Sequence, residues 1–326
     1  LGNCIRLSNN DMTRFKNILL VLRESHNRSG IERAVALAQK NDAKLTVIQA
    51  PGQFARGVEL LKGMVSFGQL NAAILEKKQE ELDTLCDSLE VKNAVGVIAS
   101  SGSPSVSIVK QVLREEHDLV ITTAQGSSTS AGGLFRSLSL HLIRKCPCPV
   151  WVVHPEERRT GIQVMAAVDP DPMESHGSVN SLIMDLAVSL AVLDGAKLHV
   201  AHAYHTLVLK GYEALLREHG TRVPEELHNG CVEAAVNERR SKLDGLLEGY
   251  ALHEVVHQVH FEDGAPSFVI PALAKREQVD VLILGAITHG TPAGHCIGTT
   301  AEDIINQIGC SVLVVKPPEF VSPISL

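Results

Sequence analysis

The chain has 326 residues, a formal net charge of −7 with both signs interspersed, and an apolar fraction of 44%. That length suits two domains of about 150 residues, and the acidic balance excludes a general nucleic-acid binder, which would be basic. No apolar run reaches the roughly 18 residues of a membrane span, and no secretory leader is visible.

Aromatic residues make up only 3%, so the cores must be built from Val, Ile, Leu and Ala, the composition of buried parallel strands. Cys4, Cys86, Cys146, Cys148, Cys231, Cys296 and Cys310 are scattered and read as reduced thiols of a cytoplasmic protein. Met12-Thr13-Arg14-Phe15-Lys16-Asn17 reads as a natural start ahead of the first strand, leaving 1–13 as a polar tail.

Ile18 to Leu22 is the first expected strand, followed by a helix over Ile31–Gln39 and a strand from Leu45 to Ile48. A long helical region spans Val58–Leu89, then a strand covers Val95 to Ala99. Gly102-Ser103-Pro104 opens a helix through Leu113, with proline in its first turn. Leu119 to Thr122, a helix over Leu134–Arg144 and the strand Val150 to Val153 complete the half.

His154 to Gly161 is a polar linker, after which the order recurs. Val164 to Val168 is a strand, Leu182–Leu193 a helix and Leu198 to Ala203 a strand. A long helical region, Leu207–Leu247, is interrupted near Gly220 and Pro224. Then come the strand Val255–Val259, a helix opened by Gly264-Ala265-Pro266, the strand Val281–Leu284, a helix over Thr299–Ile308 and the strand Val312–Val315.

Such a repeat means two copies of one domain. The expected fold is therefore α/β: two tandem Rossmann-like domains over 14–155 and 162–317, each a five-stranded parallel sheet flanked by helices. The linker is 156–161 and the final tail 318–326. The apolar edge strands Val150–Val153 and Val312–Val315 should pair within one chain, making an intrachain pseudo-dimer.

Ligands of such sheets bind beyond the carboxyl ends of the strands. In the second half, the strand before that end leads into Gly285-Ala286-Ile287-Thr288, then nine residues, then Gly298-Thr299-Thr300 at a helix start. Glycine admits a close anion, and the helix start offers amide donors and a positive dipole end. Asp169, after the first strand of this half, could accept hydrogen bonds from a ribose or adenine edge. The same residues also make an ordinary helix cap with a loop glycine.

With D-L-V-I at Asp118, D-V-L-I at Asp280, the Gly-x-Pro helix starts, R-K-C-P-C-P-V-W-V-V and G-T-T-A-E on the page, the chain resembles the universal stress protein family in its tandem form, looking most like its E group. The resemblance covers nearly all of Phe15 to Pro317. It implies an adenine-nucleotide-binding fold (ATP or AMP), often dimeric and linked to stress survival. Nucleotide-binding members carry Gly-x2-Gly-x9-Gly-[Ser/Thr] and an aspartate after strand one.

Carried over residue by residue, the resemblance marks Asp169, Ala203, Gly285, Gly298, Thr299 and Thr300, and it puts Thr288 where the family has its second glycine. If that position needs a positive φ, a β-branched residue costs about 1–3 kcal/mol. In the first half the corresponding segment is Thr123-Ala124-Gln125-Gly126 followed by Arg136-Ser137, and Arg23 replaces the aspartate. That half should not bind nucleotide in the family manner; Arg23 and Arg136 are read as solvated, or as contacts for some other anion.

No catalytic set stands out: the chain has no Gly-x-Ser-x-Gly elbow and no P-loop, and neither Arg23-Glu24-Ser25-His26 nor Asp169-Pro170-Asp171-Pro172 is the Ser-Gly-Gly loop of an ATP pyrophosphatase. At most slow ATP hydrolysis is expected. His199, His202 and His205 alternate faces along a strand, as do His253, His257 and His260, so neither triplet alone can converge on a metal. Cys146 and Cys148 read as core residues.

The expectation is a stress-response binding protein with its nucleotide site in the second half alone and no resident metal. The alternative is a nucleotide-independent scaffold for a protein partner, or for an apolar small ligand walled by the long helical regions.

Overall fold

A computed structural model of the chain describes residues 15–22, 28–49, 67–92, 94–99, 103–124, 137–156, 160–170, 177–205, 225–286 and 297–326. In chain order the first elements are β1 (Asn17–Leu22), α1 (Arg28–Asn41), β2 (Lys44–Gln49), α2 (Phe67–Ser88), β3 (Val95–Ile98), α3 (Pro104–Glu115), β4 (Leu119–Thr123), α4 (Ser137–Lys145) and β5 (Val150–Val153). There follow β6 (Gln163–Ala167), α5 (Gly177–Asp194), β7 (Lys197–Tyr204), α6 (Glu225–Leu247), a short 3-10 turn (Leu252–Glu254), β8 (His257–Asp263), α7 (Pro266–Arg276), β9 (Val281–Gly285), α8 (Thr299–Gln307) and β10 (Ser311–Val315). The parts of the two long helical regions at 58–66 and 207–224 lie outside the described residues.

These elements form two compact units. In the unit built on the first half, the strands run β3-β2-β1-β4-β5-β10. The first five are mutually parallel. β10 joins β5 in the antiparallel sense, with Val312 opposite Val152, Leu313 opposite Trp151 and Val314 opposite Val150. The expected pairing of the two terminal apolar strands is therefore present. In the unit built on the second half, β9-β6-β7-β8 are all parallel. No helix among the described residues is long and apolar enough to cross a membrane.

The repeated aspartate before the fourth strand of each half has a structural task. Asp118 accepts the backbone N–H groups of Lys16 at 2.6 Å and Asn17 at 3.1 Å, which fastens the entry of β4 to that of β1. Asp280 accepts the N–H of Gln163 at 2.8 Å and so joins β9 to β6 in the same way. The bonds from Asn17 and Gln163 satisfy the amides of the first residue of β1 and of β6.

The second Gly-x-Pro helix start is also explained. Gly264 has φ +146, and a Cβ there would lie 2.8 Å from Val269 Cγ2, so glycine is required before Pro266 at the first turn of α7. β8 begins at His257, two residues later than the periodicity suggests. The turn at Leu252–Glu254 ends just before it and leaves Val256 72% exposed, so the apolar pair Val255-Val256 marks the approach to the strand.

Cys146 and Cys148 are buried free thiols, and burial raises both; Cys146 is pushed up to about 12. They are inert core residues at neutral pH.

His117, before β4, is 4% exposed, and among the described residues neither ring nitrogen has a partner in good hydrogen-bond geometry. Burial lowers its pKa, the nearby Lys44 adds to this, and the Asn17 backbone, Glu115 and Asp118 offset part of it. A depressed histidine is neutral in the fold and charged when unfolded at lower pH. Its contribution is therefore complete above about 6.5 and lost as pH falls toward the folded value. Urea titrations at pH 7.5 and 5.5 should show a smaller loss of stability on acidification in His117→Leu than in the native chain; equal losses would exclude this role.

Trp151 of β5 is fully buried, with Arg33 stacked 5.0 Å from its ring centroid. Trp151→Ala should cost about 3–5 kcal/mol, measured by the denaturant midpoint of the circular-dichroism signal. A loss below about 1 kcal/mol would mean that β5 is not part of a packed core.

Candidate functional site

In the second unit, β6 has β7 on one side and β9 on the other. The strand order therefore reverses between β6 and β9, and the cleft of such a sheet opens at their carboxyl ends. Asp169 follows β6, and Gly285 ends β9. Ala203 stands one residue before the end of β7, opposite Glu262 of β8. Gly298 precedes α8, with Thr299 and Thr300 as its first two residues. The Gly298 N–H donates to the Ala286 carbonyl at 2.7 Å, which ties the start of α8 to the end of β9. Thr288, between these two anchors, lies outside the described residues.

Asp169 is held by its backbone while its carboxylate stays available. Its N–H donates to Asn180 Oδ1 at 3.0 Å, and its carbonyl accepts from Asn180 Nδ2 at 2.7 Å. Asn180 is 8% exposed, whereas the Asp169 side chain is 67% exposed. Asn180 was missed in the sequence because the apolar periodicity starts the helix at Leu182, although α5 begins at Gly177. An amide placed just upstream of an apolar stripe is the signal that could have revealed it.

His202 is buried under the same strand ends. Its Nδ1 lies 3.0 Å from the Val168 carbonyl and 3.8 Å from Asp169 Oδ1. Phe261 packs beside it, with Tyr204 stacked at 4.4 Å and Arg240 at 5.1 Å from the Phe261 ring. These groups brace the end of β7 from the α6 side.

Gly298 caps α8 with an extended backbone (φ −73, ψ 148) and no side-chain cap bond. The first-turn amides therefore have no capping side chain from that position. Glu302 places a carboxylate in the same turn, a favourable position for the helix dipole. Gly285 has a packing reason of its own: a Cβ there would lie 3.0 Å from Val179 Cγ1.

The first unit solves the same contact in reverse. Thr123 occupies the strand-end position of Gly285, and its Oγ1 would be 2.5 Å from a Cβ on Gly30. Gly30 and Val179 are each the third residue of their helix, so the small residue sits on the helix in one half and on the strand in the other. The hydroxyls of Thr122 and Thr123 are buried without a hydrogen-bond partner among the described residues. Arg23, Gln125, Gly126 and Arg136 lie outside the described residues.

The Universal stress protein family model matches residues 14–154 and 164–316, and the chain belongs to that family. It is similar to Universal stress protein E of Salmonella typhi, 25% identical over 97% of this chain and 98% of the relative, and to that of Escherichia coli K12, 24% identical over the same shares. Among solved structures, a putative universal stress protein from Pseudomonas aeruginosa shares the fold with a TM-score of 0.65, at 22% identity over 95% of this chain and 96% of the other. A universal stress protein from Archaeoglobus fulgidus shares it at 0.55, with 17% identity over 93% and 99%.

The interchanged contact makes a test. Gly285→Thr alone should destabilise by about 1–3 kcal/mol through overpacking. Combined with Val179→Gly it should cost less than the sum of the single changes, with a coupling of about 0.5–3 kcal/mol. Denaturant titration of the four proteins measures the cycle, and additive costs would show that the two sites do not share one volume.

Proposed function

We propose that this member of the family is a stress-response binding protein with one adenine-nucleotide site, for ATP or AMP, in its second half, and that native affinity is weak. The observation that carries the proposal is the bond from the Gly298 amide to the Ala286 carbonyl at 2.7 Å. It anchors both ends of a loop whose spacing is that of a phosphate-binding turn, beside the switch point flanked by Asp169. Asp169 would accept from the ribose or the adenine edge, the Ala203 backbone would face the adenine, and Gly285, Gly298, Thr299 and Thr300 would cradle phosphate at the α8 dipole.

The asymmetry rests on Thr123, which fills the first half's strand end, and on Arg23, which stands where the aspartate is needed. The protein acts by binding, with at most slow ATP hydrolysis. The second reading, a nucleotide-independent scaffold or apolar-ligand carrier, is favoured by Thr288, a β-branched residue where the family's motif has its second glycine.

Calorimetric titration with ATP decides between the readings. Native protein should bind weakly or not at all, and Thr288→Gly should gain about tenfold in affinity, roughly 1.4 kcal/mol. In that background Asp169→Ala should weaken binding and Arg23→Ala should leave it unchanged, with one nucleotide per chain. Two nucleotides per chain, or equal losses from both changes, would defeat the one-site reading. No binding even with Thr288→Gly would favour the scaffold.

A further inference from the structure

The second unit holds another convergence of ligating side chains, which the nucleotide reading does not use. It lies toward the amino ends of β6 and β7, away from Asp169 and Ala203. His199 is fully buried and His260 is 5% exposed. His199 pairs in register with Gln258, so His260, two residues further along β8, shares its face as a diagonal neighbour. Nδ1 of His199 lies 2.9 Å from Nε2 of His260, with the rings stacked at 5.2 Å. Nε2 of His199 lies 2.9 Å from Oε1 of Gln163. Glu277, just past the end of α7, completes the group. One ligand atom from each of His199, His260 and Glu277 lies within 4.8 Å of the other two.

The chemistry of this set is specific. The Gln163 oxygen can only accept, so His199 carries its proton on Nε2 and turns the Nδ1 lone pair toward His260 and Glu277. An imidazole held by an outer carbonyl in this way is the usual arrangement of a metal-binding histidine. Burial depresses the proton affinity of both rings, that of His199 to about 4, so both are neutral near pH 7. His260 donates its Nε2 proton to His199 Nδ1 and frees Nε2 for an ion when that proton moves to its own Nδ1. Lys197 donates to Gln258 at 2.8 Å, while Arg276 pairs with Glu262 at 2.8 Å and with Glu277 Oε1 at 2.9 Å, a bond that Glu277 shares with the ion or gives up on binding it.

We propose that His199, His260 and Glu277 bind a zinc-class divalent metal ion, with Gln163 orienting His199. Ligand bonds of about 2.1 Å in a tetrahedron place donors about 3.4 Å apart. The two histidine nitrogens need only separate by a few tenths of an ångström. The Glu277 side chain is 19% exposed at a helix end and swings inward to supply the third donor. The fourth position is left to water. This is a site of two nitrogens and one oxygen, without sulfur, and it is independent of whether nucleotide binds.

Cobalt(II) absorption and equilibrium dialysis against zinc test the proposal on the full chain. One tight ion per chain is expected, with the visible bands of a tetrahedral nitrogen–oxygen site and no thiolate charge-transfer band. His260→Gln should abolish the tight site, Glu277→Gln should weaken it by about 10–100-fold, and Gln163→Ala should weaken it about 10-fold. Cys231→Ala, at an exposed thiol, should change nothing. The proposal is overturned by the absence of a stoichiometric ion, by a thiolate band, or by unchanged affinity in Glu277→Gln. If His260→Gln fails to fold by circular dichroism, the Glu277→Gln result decides alone, because that side chain lies at the surface end of α7.

Discussion

The antiparallel pairing of β5 with β10 is the contact on which the rest of the first unit depends. Val150, Trp151, Val152 and Val153, together with Val312, Leu313, Val314 and Val315, are all withdrawn from water. Neither strand could serve as a solvated edge, since each would expose an apolar row and an open line of backbone groups. Residues around the pair follow from it. His154 donates its backbone N–H to Ser311 Oγ at 2.9 Å. The buried Lys316 ammonium donates to the Cys146 carbonyl and lies 4.9 Å from the Phe320 ring. Ser322 Oγ donates to the Lys145 carbonyl at 2.8 Å. The final residues thus satisfy carbonyls at the end of α4 that would otherwise lack partners.

Within this frame the two halves share one order of elements and differ at the strand exits. Asp118 and Asp280 make equivalent staples at the strand entries. At the strand exits the volumes are exchanged. Thr123 fills the space against Gly30, and Gly285 leaves it to Val179. Either solution packs well, and only the second leaves the backbone at the strand end without a side chain.

Much of the fold was legible in the sequence. The apolar runs Ile18–Leu22, Leu119–Thr122 and Val150–Val153 are buried on both faces, so their boundaries stand out from the polar residues around them. β8 was harder to place because only His260 of its seven residues is buried. Its polar outer residues carry no period, and Val255-Val256 drew the boundary early. Of the site, Gly285, Gly298 and Asp169 stand out as a glycine-flanked helix start and a strand-end carboxylate, whereas Ala203 was marked only through the resemblance to the family. Asn180 could not be marked, since its role is to hold a backbone eleven residues away. The His199–His260 contact was hidden for a related reason: alternation along one strand says which residues share a face, but register decides which residue of the neighbouring strand joins them.

On the proposed function, the second half alone holds a nucleotide-binding cleft. Amide chemical-shift mapping of the Thr288→Gly chain at saturating ATP tests it most directly, because it reports the position of the nucleotide residue by residue. The account predicts shifts at Asp169, Ala203, Gly285 and Gly298–Thr300, with Leu22 and Thr122–Ala124 unmoved. Shifts confined to the first-half strand ends, or equal at both, would contradict it.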